Sequence, residues 1–219
     1  MLKTQRHCFG VLFLLLFACK TPLKEGGPVD HSLFEFQREK VHVQQGPVGV
    51  GTHKNDASYV YVDVLNRHKR AVDLTLSGKL LNANGDVLGQ LRNQWLRLPA
   101  DGRRTFALVD DQQSLRPDAE FAEIVIQKAS EAVYPLGVKI EEGHVFDDRG
   151  RVVVTGFVVN ENDRNASALV IASFYDKDGI PVERPSTSVR IDRKQKRGIQ
   201  FVGPEGSVSA TLYVGEVLF

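Results

Sequence analysis

Val72 to Leu81 (VDLTLSGKLL) alternates apolar and polar residues, and the same parity returns 94 positions later. Val72, Leu74, Leu76 and Leu80 fall on Ala166, Ala168, Val170 and Phe174. Successive side chains of a strand point to opposite faces, so a slip of one residue would turn every one of these outward. Matched parity therefore asks for the same strand, with the same buried face, twice. The flanking punctuation recurs at the same spacing. Asn66 returns as Asn160 and Gly85 as Gly179, while Val60, Val64 and Arg70 meet Val154, Val158 and Arg164. An asparagine at a strand end bonds backbone two residues on and starts a turn. A glycine supplies the positive φ of a tight hairpin.

From Glu39 onward the chain consists of short alternating runs separated by Gly, Asn and Asp. Strands are predicted at 41–44, 58–65, 72–81, 94–98, 105–109 and 122–127, and then at 137–141, 151–159, 168–175, 186–191, 199–202 and 209–219. Only Pro117 to Ala122 (PDAEFA) has helical composition, with the length of a single turn. The fold class is all-β: two tandem immunoglobulin-like antiparallel β-sandwiches, over 39–130 and 135–219, with Ser130 to Pro135 as the join. Gly46 to Gly51 (GPVGVG) lacks the Lys-Ser/Thr and following helix of a phosphate-binding loop, and is read as a flexible loop.

Residues 1–18 have the plan of an export signal. Lys3, Arg6 and His7 precede an apolar run, Phe9 to Phe17, that is shorter than the roughly 20 residues of a membrane-spanning helix. The run ends in Leu16-Phe17-Ala18-Cys19. This resembles the lipobox of bacterial lipoproteins, which implies cleavage before Cys19 and a covalent diacylglycerol and N-acyl lipid on its sulfur and amine. No other cofactor is implied. Lys20 follows, in place of the aspartate that marks inner-membrane retention, so the resemblance implies the outer membrane if the source is Gram-negative. Residues 19–38 mix Pro, Gly and charge without a period, as expected of a lipidated N-terminus and flexible tether.

Cys8 lies in the signal and Cys19 would carry the lipid, so no thiol remains for a disulfide, a zinc site or a nucleophile. The fold must then rest on its hydrophobic core alone. The whole chain holds 28 basic and 27 acidic residues; removing Lys3 and Arg6 with the signal leaves 26 against 27, a formal −1. Nucleic acid is thereby not an expected partner.

In the second unit stand Val154-Thr155-Gly156-Phe157-Val158-Val159-Asn160 and then Leu169 to Gly179 (LVIASFYDKDG). This text resembles the FxLYD-type domain of bacterial envelope proteins, with its G-x-V-x-N strand end, its strand closing in Tyr-Asp and its D-x-D-G-like hairpin. Ala172 and Phe174 stand where the name-giving Phe and Leu would, and the first unit is a more distant copy with Val62 at the motif glycine. The resemblance implies a non-catalytic sandwich with a binding or assembly role at the envelope.

The residues themselves mark no catalytic site. His31, His42, His53, His68 and His144 show no metal-ligating spacing, and no nucleophile elbow is present. Asp176-Lys177-Asp178-Gly179 reads as a hairpin rather than a calcium loop, since no Glu stands at the twelfth position of such a loop. Two basic turns are candidate contacts for a partner or for anionic headgroups: Arg67, Lys69 and Arg70, with His68 among them, and Arg193, Lys194, Lys196 and Arg197. Arg103 and Arg104 occupy the turn of the first unit equivalent to the second of these. The lone Trp95 reads as core or half-buried; exposed, it would suggest a protein or glycan contact. The expected partners are the membrane, through the anchor, and an envelope protein. A carbohydrate-binding module for peptidoglycan or surface polysaccharide is the alternative.

Overall fold

The computed structural model describes residues 26–37, 41–50 and 53–219. They form an all-β chain of antiparallel sheets. The first unit contains β1 (Phe34–Phe36), β2 (Val43–Val50), β3 (His53–Asn66), β4 (Val72–Leu81), β5 (Val87–Leu98), β6 (Arg103–Val109) and β7 (Phe121–Glu131). β3 is flanked by β6 on one side and by β2 and then β1 on the other, and β4 lies between β5 and β7. The second unit contains β8 (Val138–Asp148), β9 (Arg151–Asn160), β10 (Ala166–Tyr175), β11 (Pro181–Glu183), β12 (Ser186–Ile191), β13 (Lys196–Val202) and β14 (Ser209–Leu218). Here β9 lies between β8 and β13, and β10 between β14 and the pair β11 and β12.

The parity read from the sequence is the parity observed. Val72, Leu74, Leu76 and Leu80 are wholly buried against Val60, Val62, Val64, Phe106 and Leu108 of the facing sheet. Ala166, Ala168 and Val170 occupy the corresponding side of β10 with Val158 opposite, and Phe174 continues the row among Val152, Val154 and Ala172. The hairpins also match. Gly85 and Gly179 both have positive φ, and both close onto a side chain: Asn82 Oδ1 accepts from the amides of Asn84 and Asp86, and Asp176 Oδ1 from those of Asp178 and Ile180.

Asn66 and Asn160 do more than start turns. Asn66, on β3, accepts from the His68 amide at 2.9 Å and donates to the carbonyls of Arg70 at 3.0 Å and Pro99 at 2.8 Å. Those carbonyls flank β4 and β5 of the other sheet. Asn160, on β9, accepts from the Asn162 amide at 3.0 Å and donates to Arg164 O at 2.7 Å, with Ile191 O and Asp192 O at 3.3 and 3.2 Å. Each buried carboxamide thus clamps one end of a sandwich across its two sheets.

Several sequence expectations are corrected. The tether read over 19–38 cannot extend to residue 38, because residues 27–29 pair with β7 through Pro28 and Ser130, and β1 then crosses to pair with β3. Val29 and Phe34 are buried in the first core, which is why this segment is ordered onto the body despite its lack of periodicity. GPVGVG is not a loop between strands, since residues 46–50 continue β2 and pair with β3 as far as Val50 opposite His53. β5 starts at Val87 and β8 runs on to Asp148, well beyond the predicted segments; the added part of β5 is anchored in the core by Leu91 and Leu88, and that of β8 runs through exposed residues paired with β9. Of Pro117 to Ala122, Pro117 and Asp118 form a turn without helix, and Phe121 and Ala122 open β7.

The largest departure concerns β10. Its predicted pattern is one face in and one face out, yet every residue from Val170 to Tyr175 is buried. The even positions face their own sandwich, whereas Ile171, with its cross-strand neighbour Tyr213, joins the core of the first unit. The continuous run LVIASFY is the composition of a strand covered on both faces.

Replacing the Asn160 carboxamide by a carboxylate, Asn160→Asp, preserves its shape and removes both N–H donors, leaving buried carbonyls without partners. A loss of about 2–4 kcal/mol is expected, read as a lower urea midpoint. An unchanged midpoint would refute the clamp.

Candidate functional site

The structure disperses the basic residues and neutralises most of them. Arg67 makes a two-pronged bond with Glu35 at 2.8 and 2.9 Å, and Arg70 bonds Glu131 at 2.8 Å, with His68 Nε2 at 3.6 Å from the same carboxylate. Arg67 holds the Glu35 carboxyl below its ordinary value. Lys69 is exposed. In the second turn, Lys194 has φ of 56° and bonds Glu161 O at 2.7 Å and Asp163 at 3.3 Å. Lys196 lies 3.5 Å from Glu142 and 4.4 Å above the Phe157 ring, Arg197 bonds the Arg190 carbonyl, and Arg193 is exposed. Among the described residues, no hydrogen bond or ion pair joins the two turns. Such exposed pairs are screened by solvent and add little to stability, but they lower the positive field that an anionic surface would meet.

Trp95 is half-buried on the outer face of the β5–β4–β7 sheet. Thr75 stands between it and Lys128 in register, and the next row is Arg97, Asp73 and Ser130. Arg97 forks onto Asp73 at 2.7 and 2.9 Å and also donates to the Tyr134 carbonyl. Trp95 and Tyr134 flank a cleft of about 220 Å³ over these rows, with Gly26 at its rim. Cys19 lies outside the described residues.

The contact between the two units was not foreseen from the sequence. Thr105 of β6 is its centre. Its hydroxyl donates to Asp63 at 3.0 Å and lies 2.9 Å from the Tyr175 hydroxyl; its carbonyl accepts from Tyr213 at 2.8 Å and from Arg184 Nε at 2.6 Å. Ser173 and Thr211 extend this cluster at 3.1 Å from Tyr213 and 3.3 Å from Tyr175. Asp63 is buried and its carboxylate is 3.2 Å from Arg103. Arg104 is not on a solvated turn. It belongs to β6, its guanidinium stacks 4.6 Å from the Tyr213 ring centre, and burial pushes its pKa down. A hint lay in the sequence: Tyr175 and Tyr213 stand on strands whose neighbours are otherwise apolar or small, and buried tyrosine hydroxyls need partners.

No protein-family model matches the chain, and no curated protein matches it either.

The tyrosines around this contact supply a pH test. Burial pushes the Tyr59, Tyr61 and Tyr175 phenols above their ordinary value of 10.0, and the Asp63 charge raises Tyr175 further. The folded chain keeps protons that the unfolded chain releases, so stability is full below about pH 10 and falls as pH rises above it. Unfolding free energy measured from pH 9 to 11 is expected to decline, with a shallower slope in Tyr61→Phe. A flat profile would contradict this burial.

Proposed function

We propose that the protein is a non-catalytic envelope lipoprotein, held at the membrane by a lipidated Cys19, in which two FxLYD-type sandwiches act as one binding or assembly body. The observation that carries the reading is the start of the folded body. Residues 27–29 already pair with β7, and Gly26 stands seven residues after Cys19. At roughly 3.3–3.6 Å per extended residue, the linker reaches about 25 Å, so an anchored body stays close to the bilayer. Confinement of this kind raises the effective concentration of a module for a neighbouring envelope partner. The exposed edge of β8, from Glu142 to Asp148, offers backbone pairing to such a partner. Outer-membrane placement in a Gram-negative source belongs to the same proposal. Cys19→Ser is expected to release the full-length chain into the soluble envelope fraction; a variant still bound to membranes after a high-salt wash would refute the anchor.

The cleft beside Trp95 favours a second reading, as a carbohydrate-binding module. A half-buried indole, Tyr134 and the Arg97–Asp73 pair on one sheet face supply a stacking surface and hydrogen-bonding groups. This reading expects retention of the protein on insoluble peptidoglycan and at least tenfold weaker retention of Trp95→Ala. Equal retention of the two would remove it.

A further inference from the structure

Between the two units runs a second cleft, of about 340 Å³, walled by Leu136, Val138 and Ile140 from the join and β8 and by Leu212 and Val214 from β14. Its size and its place between two modules are those of small-molecule sites, which begin at about 300 Å³ and combine apolar walls with a few polar groups. Arg97, Arg104 and Lys139 also line it, and no Asp or Glu does. Two of these cations are already matched. Arg97 is forked onto Asp73, and Lys139 lies 2.9 Å from Glu141 and 2.6 Å from Glu161.

Arg104 is different. Its Nη1 donates to the Arg103 carbonyl at 2.8 Å, its face rests on Tyr213, and its Nε is buried without a hydrogen-bond partner. Among the described residues, no carboxylate pairs with it. The groups that act on it are the Tyr213 and Tyr175 side chains, neither of which is a carboxylate. Buried charges are ordinarily paired, because an uncompensated one loses hydration that the interior does not return. The guanidinium therefore stands at an apolar cleft with donor capacity and positive charge that the chain itself leaves unmatched.

We infer that the inter-unit cleft binds a small amphipathic anion, whose carboxylate or phosphate pairs with Arg104 while its apolar chain lies against Leu136, Val138, Ile140, Leu212 and Val214. Arg97 borders both clefts, but the site does not include Trp95 or Tyr134. It stands whether or not the chain is lipidated. A guanidinium holds a carboxylate and a phosphate by the same fork of donors, so the shared chemistry is an anionic head on an apolar tail.

Isothermal titration of the purified full-length chain with decanoate, decyl phosphate and the uncharged decanol tests this. Saturable binding of one equivalent of either anion is expected, at least tenfold tighter than decanol. The tighter of the two anions identifies a fatty-acid or a phospholipid-like source. Inorganic phosphate and acetate, which lack the tail, are expected to bind at least tenfold more weakly than their alkyl counterparts. Arg104→Gln should weaken the anions at least tenfold and leave decanol within about threefold, whereas Arg104→Lys, which keeps the charge, should retain most of the anion preference. The comparison of anion with alcohol is made on the unaltered chain and does not depend on a variant folding. Equal affinity for decanoate, decyl phosphate and decanol, or no saturable binding of either anion, would overturn the inference.

Discussion

Two buried carboxamides hold the ends of the sandwiches together. A strand end at the rim of a sandwich leaves backbone carbonyls from two sheets facing one another with no ladder to satisfy them, and each such group left unpaired costs about 1–3 kcal/mol. Asn66 and Asn160 answer this with two donors and one acceptor on a single short side chain. Asp offers no donor when ionised, and Gln places its amide one methylene farther from the strand. The same solution occurs twice because the same rim occurs twice: β3 and β9 end there, and β4 and β10 begin a few residues later. Fixing that rim sets the register of the following strand, and with it the side on which Leu74 or Ala168 meets the core.

The features legible in the sequence are those that local rules encode. Asn66 and Asn160 act on an amide two residues away, Gly85 and Gly179 close hairpins a few residues long, and parity along β4 and β10 is a property of ten consecutive residues. What escaped prediction depends on partners far along the chain. Pro28 pairs with Ser130, and Thr105 meets Tyr175 and Tyr213. The exposed half of β8, from Glu142 to Asp148, is held by backbone pairing with β9, whereas the start of β5 meets the core only through Leu88 and Leu91, too sparse a signal to mark a strand by alternation. The basic turns were visible as cations, but Glu35 and Glu131, which neutralise two of them, come from segments read as tether and join. Arg104 looked like one more exposed turn cation, since nothing near it in sequence announces Tyr213.

Burial of both faces of β10 has a consequence for the whole molecule. Had each sandwich kept one solvated face on its β10-type sheet, the units would behave as beads joined by residues 132–137. Instead Ile171 and Tyr213 belong to the core cluster of the first unit, and a hydroxyl cluster built on Thr105 surrounds them. Inter-domain contacts of mixed polar and apolar character permit motion when small. Here the polar members are buried, so separating the units would expose Asp63, Thr105 and Ser173 together with the apolar residues around them. Their mutual orientation is therefore a property of the fold.

That rigidity explains how Arg104 can keep its position. A desolvated guanidinium without a carboxylate would be expected to swing out to water, since Arg side chains carry their charge on a long, adaptable stem. The stem here starts on β6, between Arg103, committed to Asp63, and Thr105, committed to the second unit. Its head is confined between the Arg103 carbonyl and the Tyr213 ring, and that ring is in turn fixed by the bond from its hydroxyl to Thr105. Stacking on tyrosine offsets part of the desolvation, by about 0.5–2 kcal/mol, which is less than the several kcal/mol that burying an ion costs. The balance is made good by the packing of the two units around it, and the cation is thereby presented to the inter-unit cleft in one fixed geometry.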